Sequence, residues 1–299
     1  PHPTTAVSGV ARVERLTAAR PLTLDYDAAS GLLPLRAQSL RVTNGVTVTV
    51  TAPPSAAVWI GQAAGGGTVA VDGGASAEFG NATTLAGESL TLSRTGAAAP
   101  VTVRSWLGQG ALTITTASAV TLLAADVSGS AGLAVSGGSG VPLTMNTVRA
   151  TGAWSVSGPV SPTIGLLLLY GAGQTLSFDA GGADLTVGDL YGRNTLAWNG
   201  AGKIRVSGTL HAESGANASL PAGAFRPEIP AVRIGTGAAS LAFTGSGSLA
   251  VRRLYLADGP ANPCALVFDP GVAMSVGSLE HTPSSTPDFR LPQAGALTI

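Results

Sequence analysis

From Leu90 onward, apolar residues alternate with small or polar ones for three to five positions, a Gly, Ser or Ala interrupts, and the alternation resumes. Two-residue alternation predicts strands, because successive side chains in an extended chain point to opposite faces. The same phrase returns at a fixed interval. Apolar-x-apolar triplets open at Leu90, Leu112, Leu133, Trp154, Leu176 and Leu196, in steps of 20–22 residues. A second alternating pair follows each opening, then a lone Leu or Val, then another turn. Self-similarity at this period predicts a solenoid, each unit forming one β-helix rung of three short strands.

Earlier openings at Leu22, Val46 and Val69, and later ones near Leu220, Leu241 and Leu266, extend the pattern. The prediction is an all-β fold, a single-chain parallel β-helix of 11–12 rungs of roughly 21 residues. Right-handed winding is the expectation for parallel crossovers. Residues 1–21 are expected to form an N-terminal cap or junction, 22–280 the helix, and 281–299 a C-terminal extension. Val10, Val13 and Leu16 lie at helical spacing, which suits a short amphipathic cap over an open end, although VARVERL also alternates as a strand does. Pro221, Pro227 and Pro230 mark residues 217–232 as a rung with a protruding loop, since proline cannot donate to a ladder. The terminal ALTI is expected to pair with another rung or with a neighbouring chain.

Alternation also sorts the outward residues into columns. The middle of the opening triplet reads Thr91, Thr113, Ala134, Ser155, Ser177, Ala197, Ala242 and Val267, a flat face of small residues suited to solvent or to a second copy of the chain. The residue after the third strand's apolar anchor reads Gly108, Ser128, Arg149, Tyr170, Tyr191, His211, Tyr255 and Glu280. Asp126, Asp189, Arg193, Glu213, Arg253 and Asp258 lie nearby. Two readings account for this concentration. In one, the side chains stack on each other up the solenoid as a stabilising ladder. In the other, Arg149, Tyr170, Tyr191, Arg193, His211 and Tyr255 form a glycan-binding strip, whose rung spacing of ~4.8 Å approaches the length of a hexose.

Composition narrows the function classes. Only 11% of residues are charged, against about 25% in an average domain. Sixteen basic and sixteen acidic residues leave no net charge and no basic run for nucleic acid. The longest apolar run, Ile164–Tyr170, falls far short of the roughly 20 residues of a membrane span. Cys264 is the single cysteine, so no intrachain disulfide forms, and its apolar neighbours predict a buried thiol. The opening PHPTT is not a signal peptide. Glycoside hydrolysis needs two carboxyls roughly 5–9.5 Å apart. Asp25/Asp27, Asp179/Asp184 and Asp189/Glu213 are the pairs within reach, and none stands out from ordinary turn acids. His2, His211 and His281 are too dispersed for a metal site, and the Gly-x-Gly pairs lack the strand-to-helix setting of a phosphate cradle. No catalytic residue, metal or cofactor is expected.

The rung pattern with its Gly/Ser/Ala turns, over about residues 22–280, resembles the parallel β-helices of bacteriophage tail fibres and tailspikes and of bacterial adhesins. The phrase TNGVTVTVTAP at residues 43–53 is similar to phrases of phage fibres. The resemblance implies an extracellular or virion-surface rod that self-associates as a trimer or filament and contacts cell-surface polysaccharide. A secreted adhesin or filament subunit, and a polysaccharide-degrading β-helix enzyme, are the alternatives it leaves open.

Overall fold

The computed structural model describes residues 5–8, 12–25, 35–95, 99–171, 174–213, 216–235, 239–256, 265–281 and 296–298. The fold is an all-β parallel solenoid of about 11 rungs of roughly 22 residues, essentially without helix. The chain forms two compact units, residues 1–146 with 154–161 and residues 147–153 with 162–299.

In the first unit one sheet stacks Leu22–Asp25, Thr47–Ala52, Thr68–Gly73, Ser89–Thr95, Ala111–Thr115 and Ser130–Ser136, every neighbouring pair parallel. A second sheet stacks Arg12–Ala18, Leu35–Val42, Ala57–Gly65, Ser76–Thr84, Val101–Gly108 and Val120–Val127 in the same way. Each rung thus holds one short strand and one long one. The long strand replaces the second and third strands expected from sequence. It bends where alternation lapses for one step, as at Arg104 and Ser105, which are consecutive and both turned away from the core. Arg12–Ala18 is a strand paired with Leu35–Val42, so the alternating reading of VARVERL prevails over the helical one.

The core is a set of stacked columns. Leu90, Leu112 and Leu133 lie in register, as do Leu92, Ile114 and Val135, all at most 1% exposed. Volume is balanced between rungs. Trp106 is fully buried and pairs with Ala82 on one side and Ala125 on the other, small residues making room for the indole. Its Nε1–H donates to Thr84 Oγ1 at 3.1 Å, so the buried polar atom is satisfied. Turns between strands leave little room. Gly65 ends its strand at φ +106°, and a Cβ there would collide with the Val42 carbonyl, so only glycine fits.

One core position breaks the apolar rule. Arg94 pairs with Val71 one rung earlier and is 5% exposed. One Nη2–H donates to the Gly74 carbonyl at 2.6 Å, while Nε and Nη1 have no partner. Burial holds the guanidinium pKa below its ordinary value.

In the second unit the short strands run Gln174–Asp179, Leu196–Gly200, then Asn217–Pro221, Ser240–Thr244 and Ala265–Phe268, the two groups joined by a Thr195–Ser219 bridge. Phe225, Phe243 and Phe268 cluster inside, Phe243 and Phe268 stacked at 6.3 Å. The long strands run Leu185–Gly192, the pair Ile204–Val206 and Thr209–Ala212, Glu228–Ile234, Ser246–Leu256 and Gly271–His281. Ala296–Thr298 pairs with Gly271–His281, placing the terminal segment on another rung of its own chain.

Two expectations are corrected here. Residues 217–232 hold a regular rung with no protruding loop. Pro221 closes a strand, a single 3-10 turn at Ala222–Ala224 follows, and Pro230 sits at the bend between the paired residues Ile229 and Ala231. Several rung openings are also out of phase by two residues. Leu22 pairs with Val48 rather than Val46, Leu176 with Trp198 rather than Leu196, and Leu241 with Ala218 rather than Leu220. A slip of two keeps the inward face inward, so burial pattern alone does not reveal it. Cys264, Asp27, Asp258 and His2 lie outside the described residues.

Candidate functional site

The polar strip lies on the long strands of the second unit, where alternation places Leu190, Leu210, Val232 and Leu254 in the core at 0% exposure and turns the following residue outward. The register reads Leu168, Tyr191, His211, Arg233, Tyr255, Glu280, each paired with the next. Arg233 is therefore a member that sequence reasoning missed, although Val232-Arg233-Ile234 repeats the apolar-polar-apolar phrase of Leu210-His211-Ala212. Tyr170 is not a member. It stands two residues further along, in a second column with Arg193 and Glu213. The Arg193 N–H donates to the Leu169 carbonyl, and Leu169, Gly192 and Ala212 pair in sequence. In the first unit the expected column also shifts. Gly108 is buried and Leu107 takes the outward position, 51% exposed, paired with Asp126.

The two columns are bound internally. Tyr191 and His211 stack with ring centroids 4.0 Å apart and planes within 7°. Tyr170 lies under two guanidiniums, Arg193 at 4.7 Å and Arg149 at 5.5 Å from the ring centroid. Its hydroxyl donates to Glu213 Oε1 at 3.1 Å, and Arg193 Nε donates to the other oxygen of the same carboxylate. Arg253 reaches 5.9 Å from the Tyr255 centroid. The structure thus brings Tyr170 and Arg193 together through Glu213, with Arg149 over the Tyr170 ring, and Tyr191 with His211. Tyr255 stands two rungs beyond His211, with Arg233 between them.

Electrostatics follow from this packing. Burial, then the bond to Glu213, raises the Tyr170 phenol above its usual pKa, so it remains a hydrogen-bond donor at neutral pH. Burial lowers the His211 pKa, with the Asp189 carboxylate pulling the other way, so the imidazole is neutral under physiological conditions. Asp189 is itself engaged, accepting the Thr209 N–H at 2.7 Å. Asp184 receives Arg226 through two bonds of 2.6 and 2.9 Å and the Lys203 N–H at 3.0 Å, and the Arg226 bonds hold its carboxyl below the ordinary range. Asp184 and Glu213, each a member of one of the carboxylate pairs considered from sequence, are thereby committed to arginine. Asp184, whose carboxyl is held ionised in this way, is a poor general acid. Among the described residues no group of three His, Cys, Asp or Glu is placed to hold a metal, and no helix is long and apolar enough to cross a membrane.

No family model, no curated protein and no solved structure matches this chain.

Proposed function

We propose that the solenoid is a structural rod of an extracellular appendage, of the kind that phage tail fibres or bacterial adhesins provide, and that its polar strip contacts cell-surface polysaccharide. The observation that carries the reading is the strip itself. In a chain only 11% charged, Tyr191, His211 and Tyr255 share one outward column of the long strands, and Tyr170 and Arg193 share a second just past their ends, with Arg149 over the Tyr170 ring. Because Tyr191 and His211 cover one face of each other, the strip offers ring edges, hydroxyls and guanidinium N–H groups more than open ring faces. Such groups suit sugar hydroxyls, at a repeat of ~4.8 Å along the stack. Self-association as a trimer or filament belongs to the same reading, and the flat face of small residues is the surface available for it.

The test is a double variant, Tyr191→Ala with His211→Ala, applied to a glycan array and to whole-cell binding. Binding is expected to fall to background while far-UV circular dichroism keeps its β-sheet form. Undiminished binding would leave the stacked rings as a stabilising ladder, worth about 0.2–1 kcal/mol per pair, and nothing more.

A further inference from the structure

Next to the strip, on the same long strands, lies a groove of about 460 Å³ lined by Glu228, Pro230, Ala250, Arg252, Ser275 and Gly277, with Ile229 and Val251 beneath. It exists because side chains are small where two rungs meet. Glu228, Ala250 and Ser275 follow one another in register, so the column drops from a long side chain to a methyl and a hydroxymethyl. At Gly277 a Cβ would lie 2.9 Å from the Arg252 carbonyl oxygen. Glycine there keeps both the backbone spacing and the opening of the groove.

The bend of the long strand decides where charge goes. Arg252 and Arg253 are consecutive and both exposed, flanked by the buried Val251 and Leu254. Arg252 lines the groove, and Arg253 lies over Tyr255. Arg233, paired with Tyr255, is the third cation here. Elsewhere on these strands the guanidiniums are matched, Arg193 with Glu213 and Arg205 and Arg226 with Asp184. Among the described residues Arg233, Arg252 and Arg253 have no carboxylate within ion-pair distance. Of the three, Arg252 faces the recess, which also offers a carboxylate and a hydroxyl, while Arg253 and Arg233 lie beside Tyr255.

Resting on the polysaccharide reading above, we infer that this groove seats a carboxylate-bearing sugar unit, a hexuronate, of that polymer. A planar carboxylate matches the guanidinium fork of Arg252. Glu228 and Ser275 accept and donate to ring hydroxyls, and Pro230 and Ala250 pack the apolar side of the ring. The volume lies within the range of small-ligand sites. Where Arg252 and Arg253 leave the bend, groove and strip meet, so one chain of sugars passes from one to the other.

The experiment is equilibrium binding of the intact chain to polygalacturonate, to neutral dextran and to dextran sulfate, with wild type, Arg252→Gln, Ala250→Trp, and the Tyr191→Ala/His211→Ala pair. Polygalacturonate is expected to bind in preference to both other polymers. Loss of the charged contact in Arg252→Gln, and filling of the groove in Ala250→Trp, are each expected to weaken it by about tenfold or more. Wild-type affinity in both groove variants overturns the assignment, as does equal or tighter binding of dextran sulfate, which marks charge alone. Binding of dextran without polygalacturonate overturns the groove proposal and leaves the glycan-strip reading standing. Binding of none of the three polymers by the wild type overturns the groove proposal, and a blank glycan array alongside it takes down the strip reading too.

Discussion

Arg94 shows what one side chain contributes when its surroundings are wrong for it. Its neighbour in register is Val71, and a single carbonyl takes one of its five N–H groups. A buried cation with unpartnered donors costs more than an apolar side chain of similar length. Arg94→Met is therefore expected to raise unfolding free energy by about 1–2 kcal/mol, the lost bond to Gly74 offsetting part of the gain, as read from urea denaturation. His211 gives a pH dependence of defined sign. Its folded pKa is lowered by burial, so the unfolded chain takes up a proton first as pH falls. The stability this group contributes is complete above the unfolded value of about 6.5, and it is lost as pH drops from there towards the folded pKa. Between about pH 7.5 and about pH 5.5 the wild type is expected to lose more thermal stability than His211→Phe, which keeps the ring stack and cannot titrate. An equal loss in both would place the titrating groups elsewhere.

At the scale of the strand, alternation was legible wherever polar and apolar residues truly alternate, and silent where they do not. Leu112-Thr-Ile and Leu133-Ala-Val announce their inward faces, and they pair in register. Leu166 to Leu169 announces nothing. Four leucines in a row carry no phase, and it is Leu167 and Leu169 that turn inward. Reading Leu169 as the counterpart of Leu190 put Tyr170 beside Tyr191, whereas the paired residue is Leu167. Arg233 was hidden for a different reason, since the three prolines around it made its rung look like a loop. The groove at Arg252 had no sequence signal of its own. It depends on which small residues become neighbours across rungs, which only the register decides.

For the whole molecule, the architecture was legible because a solenoid repeats one local rule, and each rung is supported chiefly by its two neighbours. The division into two compact units left no mark in the alternation. Leu112→Ala removes a fully buried side chain and is expected to cost about 2–5 kcal/mol. The damage should stay local. Hydrogen exchange is expected to accelerate at residues 90–92 and 133–135, with residues 240–244 unchanged. Acceleration at both places would mean that the chain unfolds as one cooperative body.

The register between Leu112 and Leu133 also makes chain length adjustable in whole steps. Excising residues 112–132 sets Leu133 in the seat of Leu112, over the same Leu90, and every downstream column keeps its alignment. Removal of a number of residues that shifts a strand by one place would turn its side chains off their stacks. Evolution, or an engineer, can therefore lengthen or shorten this protein by whole turns, with local repacking where a deletion takes away a partner such as Ala125, the small neighbour of Trp106.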